Sequence, residues 1–459
     1  MRKHDGRLGK RVEPLAKKPL GELVEMFGPQ LKLPEDFANP DRKRLFSPER
    51  TFWLFLSQVL CANGSCREAL RKFLAWLAVE ENAEASPLTG AYCKARARLP
   101  LRALEEVHEK LARTPAGEGE MWLGRTVKVV DGSSVSMPDT PENQERYPQP
   151  GAQKPGCGFP VMRIVALFSL GGGLLLELAK SALDVHERTL FHQLWDSLMA
   201  GDVVLGDTGF CSYADFYYLL QHGVDSVMRN HQARKKGLVE IERLDKGDRL
   251  VNWFKNKACP RWLSKEEWSG MPDTLTVREI TVTVEVPGFR STNLIIVTTL
   301  LDHKAYPKEA IIDLYRKRWA VELYLRDIKI ALGMDILRCK TPDMVEKELW
   351  MHAIAYNLIR KLMNQAAQGH GRPLDRISFK GTVDTVRQWA PVMAGATQEG
   401  AYERNFSAMI RCIAKDPVPL RPDRTEPRAV KRRPKNHQRL TKPRKQFKET
   451  PHRGKKRAA

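Results

Sequence analysis

The chain has no run of 18 or more apolar residues, so it carries no candidate membrane span. Its first residues, MRKHDGRLGKRVEPLAKK, are basic but lack a following apolar stretch, so they are not expected to be a secretory signal. The eight cysteines are scattered. Only Cys61 and Cys66 are close, no second pair with histidine completes a zinc set, and free thiols in a reducing cytoplasm are expected. His186, His192, His231 and His352 have no zinc spacing with them. No GxxxxGK[ST] loop occurs; the glycines of FSLGGGL (168–174) do not make one, so no nucleotide is expected. Acidic charge is also short. Lys and Arg number 76 against 55 Asp and Glu, a formal net charge of +21. Residues 421–459 hold 16 Lys/Arg and three acids (Asp423, Glu426, Glu449), leaving +8 for the rest. Such an excess points to a polyanionic partner, most simply nucleic acid; no amphipathic helix accompanies the basic tail, which argues against a membrane surface.

The length of 459 residues suits two or three domains. Residues 1–45 read as a polar arm. Residues 46–118 read as a helical, possibly DNA-binding domain: Ser47-Pro48-Glu49 opens a first helix, SCREALRKFLAWLAVE a second, and two more follow with Lys94, Arg96 and Arg98 among them. From 119 the pattern turns to strands. TVKVVD ends at Asp131-Gly132, a turn signal, and VMRIVALFSL and LLLELAKSAL flank Gly171-Gly172-Gly173, a hairpin signal. A helix over 186–199, the strand VVLGD (203–207), a helix over 212–223 and the strand VDSVMRN complete the order strand, strand, strand, helix, strand, helix, strand. Residues 238–294 switch to alternating strands and read as a β-rich insertion subdomain. Residues 369–420 read as a helical C-terminal region. The Lys/Arg/Pro-biased 421–459 reads as a disordered basic tail.

One stretch organises the rest: PKEAIIDLYRKRWAVELYLRDIKIALG (307–333), bounded by Pro307 and Gly333, with neither residue type between them. On a helix at ~100° per residue, Tyr315, Arg318, Glu322, Arg326 and Lys329 share a sector of roughly 80°, while Leu314, Val321, Leu325 and Ile328 make an adjacent apolar face. Spaced i±4 ion pairs on a solvated face would give the same pattern.

The spacing Tyr315-x2-Arg318-x3-Glu322-x6-Lys329 resembles the signature of the insertion sequence four family of DDE transposases. The preceding IIVTTLLD (295–302) and the following LRCKTPDMVEKELWMHAIAYNLIR (337–360) resemble its flanks. VVDGSSVSMPDT resembles its first aspartate motif, which puts Asp131 in that role, and GDTGFCS resembles the second, with Asp207. The resemblance covers roughly residues 120–365. It implies a ribonuclease H-like mixed α/β sheet flanked by helices, its catalytic core formed by 119–237 and 295–368. It also implies Asp131, Asp207 and Glu322 as catalytic residues and ligands of two Mg²⁺ or Mn²⁺ ions, since carboxylate oxygens suit hard cations. Tyr315, Arg318, Arg326, Lys329 and Arg229 would contact DNA. A Trp of the insertion would stack on a flipped base, with Trp253, Trp262 and Trp268 the candidates. The partners implied are double-stranded DNA, as inverted-repeat ends and target, and a second copy of the chain on paired ends, in a prokaryotic, nucleoid-associated cytoplasmic setting. Two other readings stay open: a metal-dependent nuclease of the same fold, and a non-catalytic DNA-binding protein that kept the scaffold.

Overall fold

The computed structural model describes residues 45–62, 64–80, 84–113, 121–231, 238–284, 292–394 and 400–419, with isolated positions between 23 and 37 and at 443 and 446. The rest of the arm over 1–45 and of the basic tail over 421–459 lie outside the described residues. Of the arm, which reads as polar, Leu23, Met26, Phe27, Leu31 and Phe37 are buried, and Phe37 meets Phe52 edge-on at 5.5 Å.

Four helices come first: α1 (Pro48–Leu60), α2 (Cys66–Glu80), α3 (Gly90–Arg98) and α4 (Leu101–Arg113). Ser47 caps α1 by accepting from the Arg50 N–H at 3.2 Å, with Pro48 in the first turn. Every residue from Thr51 to Leu60 is buried, as in a helix surrounded by protein on all sides. After them come β1 (Val127–Ser136), α5 (Pro141–Arg146), β2 (Val161–Ser169), β3 (Leu175–Ala182), α6 (Glu187–His192), β4 (Val203–Gly206), α7 (Tyr213–Gln221) and β5 (Asp225–Arg229). The insertion supplies β6 (Val239–Asp245), β7 (Asp248–Phe254), α8 (Lys265–Gly270) and β8 (Thr274–Val284). The chain then continues with β9 (Thr292–Thr298), α9 (Lys308–Lys317), α10 (Ala320–Arg326), α11 (Pro342–Gly369), α12 (Phe379–Ala394) and α13 (Ala401–Ala414).

All nine strands form one mixed sheet in the order β3-β2-β1-β4-β5-β9-β8-β7-β6. β2 is antiparallel to β1 and β3, while β4 and β5 run parallel to β1. Through β9, the insertion strands β8, β7 and β6 extend this sheet antiparallel, so the insertion shares the core sheet. Gly173, at φ +65°, makes the hairpin between β2 and β3. Asp131-Gly132 is not a turn: β1 runs through both residues to Ser136.

Side chains of β1 alternate between two cores. Val127, Val129 and Val135 join the cluster that holds α9, α10 and α11; Val130 joins the cluster of α6 and α7. Both sheet edges are blunted. At β3, Asn357 of α11 accepts from the Leu175 N–H at 2.9 Å and donates to the Leu175 carbonyl at 2.8 Å, standing in for a neighbouring strand. At the other edge β6 is almost wholly exposed and carries Glu240, Glu242 and Arg243.

Candidate active site

Two of the three sequence-derived carboxylates stand just beyond the point where β1 and β4 part. The parallel pairing of β1 and β4 reaches only Val129↔Leu205, and beyond it the strands part. Asp131 stands two residues past that pair on β1, and Asp207 two residues past it, just after β4 ends at Gly206. By the alternation of β1, Asp131 falls on the face covered by α9 to α11. Ligand sites in open α/β sheets form at such carboxyl ends of parallel strands.

The third carboxylate comes from the 307–333 stretch, which is not one continuous helix. Pro307 precedes α9 with extended backbone, and α9 ends at Lys317. Across the joint the bonds are short-range: Arg318 N–H to Tyr315 O at 3.1 Å, Val321 N–H to Arg318 O at 3.1 Å, and Glu322 N–H to Trp319 O at 3.2 Å. α10 passes at Asp327–Ala331 into a π-helical turn, a feature frequent at functional sites, and Gly333 closes it at φ +78°. Val321 and Leu325 are buried where α10 packs on β1. This seats Glu322 above the strand that carries Asp131.

The charges around these residues belong to one neighbourhood. Burial pushes the Asp131 carboxyl up to about 6. The Gly132 N–H, donating to its Oδ1 at 2.8 Å, and the Arg318 guanidinium oppose that rise, while Glu322 and Asp207 add to it. Arg318 is only 6% exposed. Its guanidinium faces Glu322 Oε1 at 3.5 Å and lies 5.0 Å from the Trp319 ring centre and 5.8 Å from that of Tyr315. Burial pushes the Tyr315 hydroxyl up to about 12, against the pull of Arg318. A cavity of about 760 Å³ opens here, lined by Asp207, Arg229, Tyr315, Arg318, Trp319 and Glu322 on its polar side and by Leu294, Ile296 and Ile312 on its apolar side.

Residues 122–358 match the transposase DDE domain family. The chain belongs to the DDE transposases of the IS4 family. It is 30% identical over 358 residues to the transposase InsG for insertion sequence element IS4 of Escherichia coli strain K12, an alignment that covers 75% of this chain and 76% of that relative. Shorter similarities join it to the putative transposase InsZ of the same organism, 29% over 126 residues (27% of this chain, 42% of the relative). The probable transposase for insertion sequence element IS5377 of Geobacillus stearothermophilus is 37% identical over 84 residues (18% of this chain, 22% of the relative). The transposase is thus an enzyme that acts on DNA. Its family segment contains Asp131, Asp207 and Glu322 and the entire sheet, and leaves α1 to α4 outside.

The remaining sequence-derived residues of the transposase are placed unequally. Arg229, at the end of β5, lines the cavity across from Tyr315. Lys329 donates to Ser133 Oγ at 2.9 Å, two residues beyond Asp131 on the same face of β1. Arg326 stands away from the cavity, its side chain 63% exposed, with Asp327 4.0 Å distant. The three tryptophans of the insertion are packing residues. Trp253 is fully buried and Trp268 nearly so. Trp262 sits among His192, Tyr218 and Trp195, with ring centres 4.1, 5.5 and 5.9 Å away. The aromatic face the site does present is Trp319, 57% exposed on the cavity rim and outside the insertion. At about 40° on the same helical wheel it falls beside Arg326, so the signal was in the spacing.

No helix among the described residues is long and apolar enough to cross a membrane.

Proposed function

We propose that this transposase cuts DNA at the ends of its element and joins the freed 3′ ends to a target by phosphoryl transfer, with Asp131, Asp207 and Glu322 as its catalytic carboxylates. The observation that carries this reading is that Asp207, just past β4, and Glu322 of α10 line one open cavity and both act on Asp131 of β1. The strand order β3-β2-β1-β4-β5, with only β2 of the inner strands antiparallel to β1, supports a ribonuclease H-like core.

The donor set is right in kind for Mg²⁺ or Mn²⁺, since it is all carboxylate oxygen. As placed, no three such side chains among the described residues are gathered closely enough to hold an ion. Two ions held by Asp131, Asp207 and Glu322 would supply Lewis-acid polarisation of the scissile phosphodiester and a more acidic water. The chain's own part is positional and electrostatic. Arg229, Tyr315 and Arg318 line the cavity where the phosphate backbone enters, and Lys329, held by Ser133, adds a cation beside Asp131. Arg326 reaches the duplex from the exposed face of α10. Trp319 offers a stacking face for a base drawn out of the end. Double-stranded terminal repeats and target DNA are the substrates, two copies of the chain work on paired ends, and the setting is a prokaryotic nucleoid.

The test uses a labelled duplex carrying the element's terminal repeat. Asp131→Asn, Asp207→Asn and Glu322→Gln are each expected to lower cleavage by at least 10²- to 10³-fold, on the order of what removing one key transition-state contact costs. Binding of the duplex should change little. Cleavage that survives any of the three substitutions would remove that residue from the reaction.

A further inference from the structure

The strongest cation beside the three carboxylates is a side chain of the chain itself. Arg318 is buried to all but 6%. Surface ion pairs of the same helix look different: in Arg316–Asp313 both side chains are about 70% exposed, at 70% and 68%. A guanidinium has five donors and, once out of water, needs most of them satisfied. Here Arg318 meets Glu322 at 3.5 Å, longer than a good charge-assisted bond, and the Tyr315 side chain, while its buried Nε–H has no hydrogen-bond partner among the described residues. Its charge acts on Asp131 as well as on Glu322. It sits at the joint between α9 and α10, where the regular helical bonds give way to shorter ones. The same acids, as placed, do not make a set ready for an ion.

We propose that Arg318 is a built-in counter-ion of the active site: while no DNA is bound it neutralises Glu322 and Asp131, and a DNA phosphate that takes its guanidinium frees both acids for the divalent ions. This rests on reading Asp131, Asp207 and Glu322 as the ion-holding residues. Phosphate is the better partner because it accepts two parallel N–H bonds from the planar fork, which one oblique carboxylate oxygen does not. Arg229 faces the same cavity from β5 and supplies a second cation to the incoming phosphate. Metal loading is thereby tied to the presence of a DNA end, and a transposase with no DNA in its site is kept from holding ions in a nuclease-competent centre. Linkage makes the tie reciprocal: whatever factor DNA adds to ion affinity, the ions add to DNA affinity.

Binding of Mn²⁺ to the full chain, read by electron paramagnetic resonance of the free ion, tests this without any cleavage. Without DNA, Arg318→Gln and Arg318→Met are expected to bind Mn²⁺ roughly tenfold tighter than the unaltered protein, within the usual range of coupling between two sites. Arg318→Lys, which keeps the charge, is expected to stay within about twofold of it. Adding the terminal-repeat duplex should tighten Mn²⁺ binding in the unaltered protein, and by a smaller factor in the two neutral variants. Folded neutral variants that bind Mn²⁺ no tighter than the unaltered protein overturn the counter-ion role. If the neutral variants do not fold, the unaltered protein decides alone, and no tightening on duplex addition overturns the proposal. Asp131→Asn separates the two levels of inference. If it leaves Mn²⁺ binding untouched, the ions bind elsewhere and the reading of the site itself falls.

Discussion

Trp319 is a large aromatic side chain left 57% exposed on the rim of an otherwise well-packed site, next to Glu322. Its indole already borders the Arg318 guanidinium, and more than half of its surface stays exposed. Stacking of a base on an aromatic side chain contributes about 1–3 kcal/mol. Trp319→Ala is therefore expected to weaken both binding and cleavage of the terminal-repeat duplex between about five- and a hundredfold, with the melting temperature nearly unchanged because little buried area is lost. Trp319→Phe should recover most of it. Fluorescence anisotropy with the duplex, beside a cleavage time course, reads both quantities. A melting temperature that falls sharply in Trp319→Ala would instead make the side chain structural. At this scale Asp207 after a short apolar strand and Glu322 on a charged helix sector could be singled out from sequence, whereas Asp131-Gly132 reads as a turn and lies within β1. The sequence concealed that Trp253, Trp262 and Trp268 are packed, since their burial is decided by partners far along the chain, such as His192 and Tyr218.

Among the elements, the Val-rich strands and the four N-terminal helices were legible because period, capping and apolar runs are local properties. The joint between α9 and α10 was not, as no Gly or Pro marks it. Nor was the continuity of the insertion with the core sheet, because Arg278↔Thr298 and Val227↔Thr298 are pairings made across the fold. The contact of α4 with α11 is a further case. It buries His108 completely, its ring 5.0 Å from that of Trp350, while His352, on another side of α11, is buried beside Gln58 and Val59 of α1 and Arg338. Burial pushes His108 down to about 4 and His352 down to about 3, the latter with help from Arg338. Both stay neutral in the folded chain at pH values where the unfolded chain, near 6.5, takes up protons. The stability they permit is therefore complete above pH 6.5 and is lost as pH falls from there toward 4, by up to about 1.4 kcal/mol per pH unit for each histidine. Urea unfolding of the metal-free protein at pH 7.5, 6 and 5 is expected to show this decline. His108→Phe should make the decline shallower between pH 6 and 5; an identical decline would mean that other groups govern it.

For the molecule as a whole, the surplus of positive charge is unevenly shared. The last 39 residues carry +13 of the net +21, and the other 420 carry +8. The site itself concentrates Arg229, Arg318 and Lys329 around its acids, so the tail and the site are two separate concentrations of positive charge. Each phosphate neutralised by a cation contributes about −0.9 to the slope of log K against log salt for duplex DNA. If even a third of the tail's cations meet phosphate, removing 421–459 makes that slope shallower by about 4 or more. The effect should be the same on a terminal-repeat duplex and on an unrelated one, since backbone contacts carry no sequence information. The position of cleavage should stay where it is, because every residue placed around Glu322 remains. Titrations of both duplexes from 50 to 300 mM salt, with the full chain and with the chain ending at 420, measure it. An unchanged slope would make the tail a solvated extension and move the whole electrostatic hold onto the folded part. A loss confined to the terminal-repeat duplex would make the tail a reader of sequence.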